Sequence, residues 1–113
     1  DHSKIVTWYT TQIAYLVERL KSMKEGNGSV FDNTVILWIS EQGLRTPSKT
    51  EHNHTNLPYM LLGSGGGAFR TGRFLNLGGV DHARILINIM NAMGVSGNRL
   101  SSKLTIDPLP NLS

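Results

Sequence analysis

The sequence predicts an α/β fold, a small and mostly parallel sheet flanked by helices. Two short runs, Thr34–Ser40 and Leu57–Leu62, are almost wholly apolar and too short for buried helices, which is the pattern of strands covered on both faces. Two stretches with helical apolar spacing lie outside them, and long polar loops separate the elements.

The first helix is expected over 3–24, where Ile5, Val6, Tyr9, Ile13, Leu16, Val17 and Leu20 share one face. Ser3 or Asp1 can cap its start, Lys21 and Lys24 suit its C-terminal dipole, and Gly26 is placed to end it within a Gly26-Asn27-Gly28-Ser29 turn. The strand Thr34–Ser40 follows, then a polar loop over 41–56 that has no period and contains Pro47. The second strand leads into Gly63-Ser64-Gly65-Gly66-Gly67, and Phe69–Leu77 reads as a short strand or hairpin around Thr71-Gly72. A second helix is expected over 82–93, with Asp81 as N-cap, Ile85, Leu86, Ile89, Met90 and Met93 on its apolar face, and Gly94 as its stop. The whole chain, 1–113, reads as one α/β domain or fragment, with a core over 1–95 and an irregular tail over 96–113 that contains Pro108 and Pro110. Trp8, Tyr9, Tyr15 and Trp38 are expected in the core.

Composition narrows the function classes. The 113 residues include no cysteine, so disulfides, thiolate metal sites and cysteine nucleophiles are excluded. Hydrophobic residues make up 39% and charged residues 17%, a balance that does not suit wholesale disorder. The longest strictly apolar run, Val35–Ile39, is far short of the ~20 residues of a bilayer span. The 11 basic and 8 acidic residues leave a net charge of +3, and the basic residues are scattered, so nucleic acid is not expected as a partner. The chain opens on Asp1 without a charged segment and apolar stretch behind it, which reads as a processed chain or a piece of a longer one.

In open α/β sheets, ligands bind beyond the carboxyl ends of the strands, where the loops 40–56 and 63–73 are expected. Gly63-x-Gly65-x-x-Ala68 formally matches a dinucleotide fingerprint, but Phe69–Phe74 does not open a helix, so the glycines are read as allowing close backbone approach. Glu41 directly follows the first strand, and Glu51, His52 and His54 sit in the loop after it. Carboxylate and imidazole suit zinc and similar divalent ions, although an i, i+2 pair in extended chain points to opposite sides. Arg70 and Arg73 flank a glycine turn and read as able to grip an anion. No Gly-x-Ser-x-Gly elbow is present, and no catalytic constellation is complete.

The run Asp32-Asn33-Thr34-Val35-Ile36-Leu37-Trp38-Ile39-Ser40-Glu41-Gln42-Gly43 resembles the late strand of the alkaline phosphatase and sulfatase superfamily. Trp8-Tyr9, His52-x-His54-x-x-Leu57-Pro58, Gly65-Gly66-Gly67, Thr71-Gly72-Arg73 and Asn91-Ala92-Met93-Gly94-Val95 fit, in order, a family of exported bacterial proteins of unknown function placed in that superfamily. The resemblance implies the C-terminal part of an alkaline-phosphatase-like fold and a metal-dependent ester hydrolase. It implies zinc, manganese or calcium as cofactor, Glu41, His54 and His52 as ligands, and an exported or periplasmic location. The chain has Glu41-Gln42 where many relatives have Asp-His or Asp-Asn, and nothing in it corresponds to the nucleophile or the first aspartate ligands. The expectation is therefore a part that is inactive without the missing N-terminal portion of the fold. The alternative is a non-catalytic α/β module that binds a ligand or associates with itself.

Overall fold

The computed structural model describes residues 1–43, 56–102 and 104–113. Helix α1 spans His2–Ser22, and Asp1 caps it by accepting from the Ser3 amide at 3.2 Å and the Ser3 hydroxyl at 3.0 Å. A hairpin of two short strands follows, β1 (Lys24–Glu25) and β2 (Gly28–Ser29), turned at Gly26 with φ +56°. A short 3-10 turn, Val30–Asn33, is held by Asp32, whose carboxylate accepts from the Ser29 amide at 2.7 Å and the Ser29 hydroxyl at 2.9 Å. These bonds hold the Asp32 carboxyl below the usual carboxylate range. Lys21 lies over the Phe31 ring at 5.2 Å and ties α1 to this turn.

The central sheet corrects the expected topology. Strands β3 (Ile36–Ile39) and β4 (Tyr59–Leu62) are antiparallel, with Ile36 opposite Leu62 and Ile39 opposite Tyr59. All three strand pairs among the described residues are antiparallel, so the mostly parallel sheet of an alkaline-phosphatase-like fold is not what forms. The apolar runs are covered on one face, where Val35, Leu37, Tyr59 and Leu61 pack against the core. On the other, Met60, itself exposed, and Leu62 line a groove with Thr10, Ile13, Ala14 and Val17 of α1. An antiparallel pair presents two such faces as well as a parallel one does, so the apolar pattern carried no information on strand direction.

The glycine turn after β4 folds back over the start of β3. Gly65 donates to the Thr34 carbonyl at 3.2 Å and Gly66 to the Asp32 carbonyl at 2.8 Å, and the Ser64 hydroxyl donates to Asp32 as well at 2.6 Å. Gly63, at φ +85°, lies so close that a Cβ there would sit 2.1 Å from the Thr34 carbonyl oxygen. Residues 69–77 form no regular strand, and Phe74 is almost fully exposed. Helix α2 spans Ala83–Ala92, with the Asp81 carboxylate accepting from the Ala83 amide at 2.9 Å. Gly94 follows it at φ +85°.

The segment read as an irregular tail is a structural part of the molecule. Strands β5 (Arg99–Ser101) and β6 (Leu104–Thr105) pair, and the chain then returns to α2. Leu109 and Leu112 join Phe69 and Ile85 in the core cluster, and Ile87 and Ile106 are also buried. Helix α1 departs most from expectation. It has no buried residue, and Trp8, Tyr9 and Tyr15 are each more than half exposed instead of lying in the core, while Trp38 is half-buried.

Gly63→Ala should lower the unfolding free energy by more than about 2 kcal/mol, from left-handed strain together with the collision at Thr34. Gly78→Ala, at φ +66° with open space around the added methyl, should cost only about 1 kcal/mol. Urea denaturation of the two variants beside the parent chain measures the difference.

Candidate functional site

The register of the central sheet sets what its polar end contains. Ile39 opposes Tyr59, so Ser40 and Glu41 leave β3 at the end where β4 begins. Asp81 and His82, at the entrance to α2, lie at the same end, because the His82 ring stacks on the Tyr59 ring with centroids 6.4 Å apart and planes 16° apart. The Asp81 carboxylate is 3.8 Å from His82 Nδ1, and both side chains are well exposed. Partial burial, and after it the Asp81 charge, push the Tyr59 phenol above its ordinary value. Glu41 is exposed, and the Ser40 hydroxyl donates to the Gln42 carbonyl at 2.7 Å. This end therefore gathers a carboxylate, an imidazole and a phenol. Asp81 is also the helix cap and Tyr59 is also a core residue, so two of these groups have structural work.

Of the expected metal ligands, Glu41 is at this end, whereas His52 and His54 lie outside the described residues. Among the described residues, no group of three or more His, Asp or Glu side chains is placed to hold a metal ion. Among the described residues the expected ligand set is therefore represented by Glu41 alone.

Of the expected anion pair, Arg73 has other partners. Arg73 donates from Nε to the Arg70 carbonyl at 2.9 Å and from Nη2 to the Asn111 carbonyl, so its guanidinium is committed to backbone. Arg70 is exposed, and its amide donates to the Leu112 carbonyl at 2.9 Å. The glycine turn offers no cradle for phosphate either, since the Gly65, Gly66 and Gly67 amides all donate within the chain.

Two residues that the sequence reading passed over complete this picture. Arg84 donates to the carbonyls of Asp107 at 2.9 Å and Pro108 at 3.0 Å. Asn88 donates to the Leu109 carbonyl at 3.0 Å and accepts from the Leu109 amide at 2.7 Å. Their partners are main-chain atoms, which leave no mark in a sequence; only their i, i+4 spacing on one helix face was visible. Protein-family models, curated proteins and solved structures offer no match to this chain. The superfamily resemblance thus rests on the residues quoted above and on nothing further.

The raised Tyr59 pKa fixes the sign of a pH dependence. The folded chain keeps its phenol protonated to higher pH than the unfolded chain, whose tyrosines titrate near ~10. The stabilisation is whole below that value and is lost as pH rises through the folded pKa. Tyr59→Phe should flatten this alkaline decline, and thermal melts across the alkaline range follow it.

Proposed function

We propose that the chain is a non-catalytic α/β module that works by associating with a second copy of itself through α1. The observation that carries this is the state of that helix. Its 21 residues include none that is buried, while Ile5, Trp8, Tyr9, Tyr15 and Leu16 are broadly exposed. Monomers seldom leave an apolar surface of this extent to water.

Two further features support a second copy as the partner. From Ile5 to Val17 the helix carries no charge, so two copies related by a two-fold axis meet there without like-charge repulsion. The hydroxyls of Thr7, Thr10 and Thr11 donate to carbonyls one turn back, at 2.9, 2.8 and 2.9 Å, so they ask little of a partner.

The hydrolase expectation implied a parallel sheet, which the antiparallel pair replaces, and His52 and His54, two of its three expected ligands, lie outside the described residues. No helix among the described residues is long and apolar enough to cross a membrane.

Light scattering behind gel filtration, run over a dilution series, should show a dimer that dissociates on dilution. Trp8→Glu and Leu16→Glu replace exposed side chains, so the far-ultraviolet dichroism should be unchanged while the dimer is lost. A parent chain that is monomeric throughout, or variants that associate as the parent does, would refute the reading.

A further inference from the structure

Helix α1 has two apolar sides. Ile13, Ala14 and Val17 line the groove it shares with Met60 and Leu62. Ile5, Trp8, Gln12 and Tyr15 climb the other side in alternating steps of three and four residues, roughly 180° around the helix from that groove. Ile5, Trp8 and Tyr15 are each more than half exposed, and Tyr9 and Leu16, which border them, are about half exposed. Alternating steps of three and four are the spacing of a seam along which two helices pack side by side.

Charge selects the direction in which two such seams meet. Lys4 and Glu18 bracket the uncharged stretch and share one edge of the seam, two seven-residue repeats and so about 21 Å apart. Both are exposed, and neither forms an ion pair among the described residues. Parallel copies would set Lys4 level with Lys4 and Glu18 level with Glu18. Antiparallel copies set Lys4 beside the partner's Glu18, and the two-fold axis repeats the pair at the other end. In that register the seam positions interleave, with Ile5 opposite the partner's Tyr15 and Trp8 opposite the partner's Gln12, whose amide oxygen can accept from the indole N–H. Arg19, the next seam position, falls opposite the partner's Asp1, so unlike charges meet there too. The helix dipoles also oppose one another in this direction.

We propose that α1 pairs antiparallel with α1 of a second copy about a two-fold axis beside Thr11, with Ile5, Trp8, Gln12 and Tyr15 as the contact seam and Lys4 meeting the partner's Glu18 at each end. The proposal rests on the association reading and goes beyond it by fixing the face, the direction and the register of the pair. The seam supplies most of the attraction. The end charges decide direction, since exposed ion pairs are individually weak and salt screens them.

Charge reversal in the full chain tests the direction, read by sedimentation equilibrium at low salt. In the antiparallel pair, Lys4→Glu and Glu18→Lys each turn two attractive contacts repulsive, so each variant alone should dimerise about tenfold more weakly than the parent. The double variant, and an equimolar mixture of the two single variants, should recover the parent's affinity. In a parallel pair a single reversal only exchanges one like-charge contact for another, so single variants that dimerise as the parent does overturn the proposal. The chain has no cysteine, so Ile5→Cys and Tyr15→Cys give a second reading that does not depend on charge. Mixed and oxidised by oxidised glutathione, they should yield mainly the disulfide between the two kinds of chain, and a product made of the two like-with-like disulfides overturns the proposal. A dimer lost with Trp8→Glu but indifferent to both charge reversals overturns the antiparallel arrangement and leaves the association reading standing. A parent chain that is monomeric throughout overturns both.

Discussion

The docking of residues 106–112 on α2 is the interaction on which the rest of the molecule depends. The core cluster has four buried members, Phe69, Ile85, Leu109 and Leu112, and two of them belong to this segment. The partly buried side chains of the central sheet, Val35, Leu37, Tyr59 and Leu61, pack against that cluster. Asn88 satisfies both polar groups of the buried Leu109, and leaving such groups unpaired costs about 1–3 kcal/mol each, while Arg84 adds exposed bonds to the carbonyls of Asp107 and Pro108. Sheet, helix and C-terminal segment are therefore one cooperative unit.

The glycine turn does for the other end of the sheet what the segment does for its face. Ser64, Gly65 and Gly66 bond to the backbone of Asp32 and Thr34, which brings the end of β4 back over the start of β3. The approach is closer than a side chain allows at Gly63. The glycines serve packing of backbone on backbone, and the same bonds use up the amides that a phosphate would need.

Much of the secondary structure was legible because its period was. Helix α2 was expected over 82–93 and spans Ala83–Ala92, with Asp81 at its cap and Gly94 beyond it. The two apolar strands were located for the same reason, but Val35–Ile39 is apolar at every position, and such a run specifies burial without direction. The two-residue strands at Lys24 and Gly28 are too short to show a period. The C-terminal segment was missed because it is irregular, with a turn at 110–111 where Asn111 has φ +62°, and its buried Ile106, Leu109 and Leu112 follow neither a helix nor a strand period. Arg73, Arg84 and Asn88 acquire their roles from carbonyls, which every residue has, so their side chains announced a charge or an amide and no partner. Glu41 was placed correctly at the end of its strand, while His52 and His54 fall outside the described residues.

Amphipathic spacing in α1 was a sound guide to an apolar face and a poor guide to what covers it. Ile13 and Val17 line the β4 groove, whereas Ile5 and Tyr9, in the same i, i+4 row nearer the N-terminus, and Leu16 beside it remain open to water. The apolar arc is longer along the helix than one contact with a two-stranded sheet can cover. A helix whose apolar arc exceeds its intramolecular contact has two stable outcomes, burial against another molecule or aggregation, and the absence of charge from Ile5 to Val17 does nothing to prevent the first. The fold thus ties its core together through the C-terminal segment and leaves the apolar row of its longest element exposed.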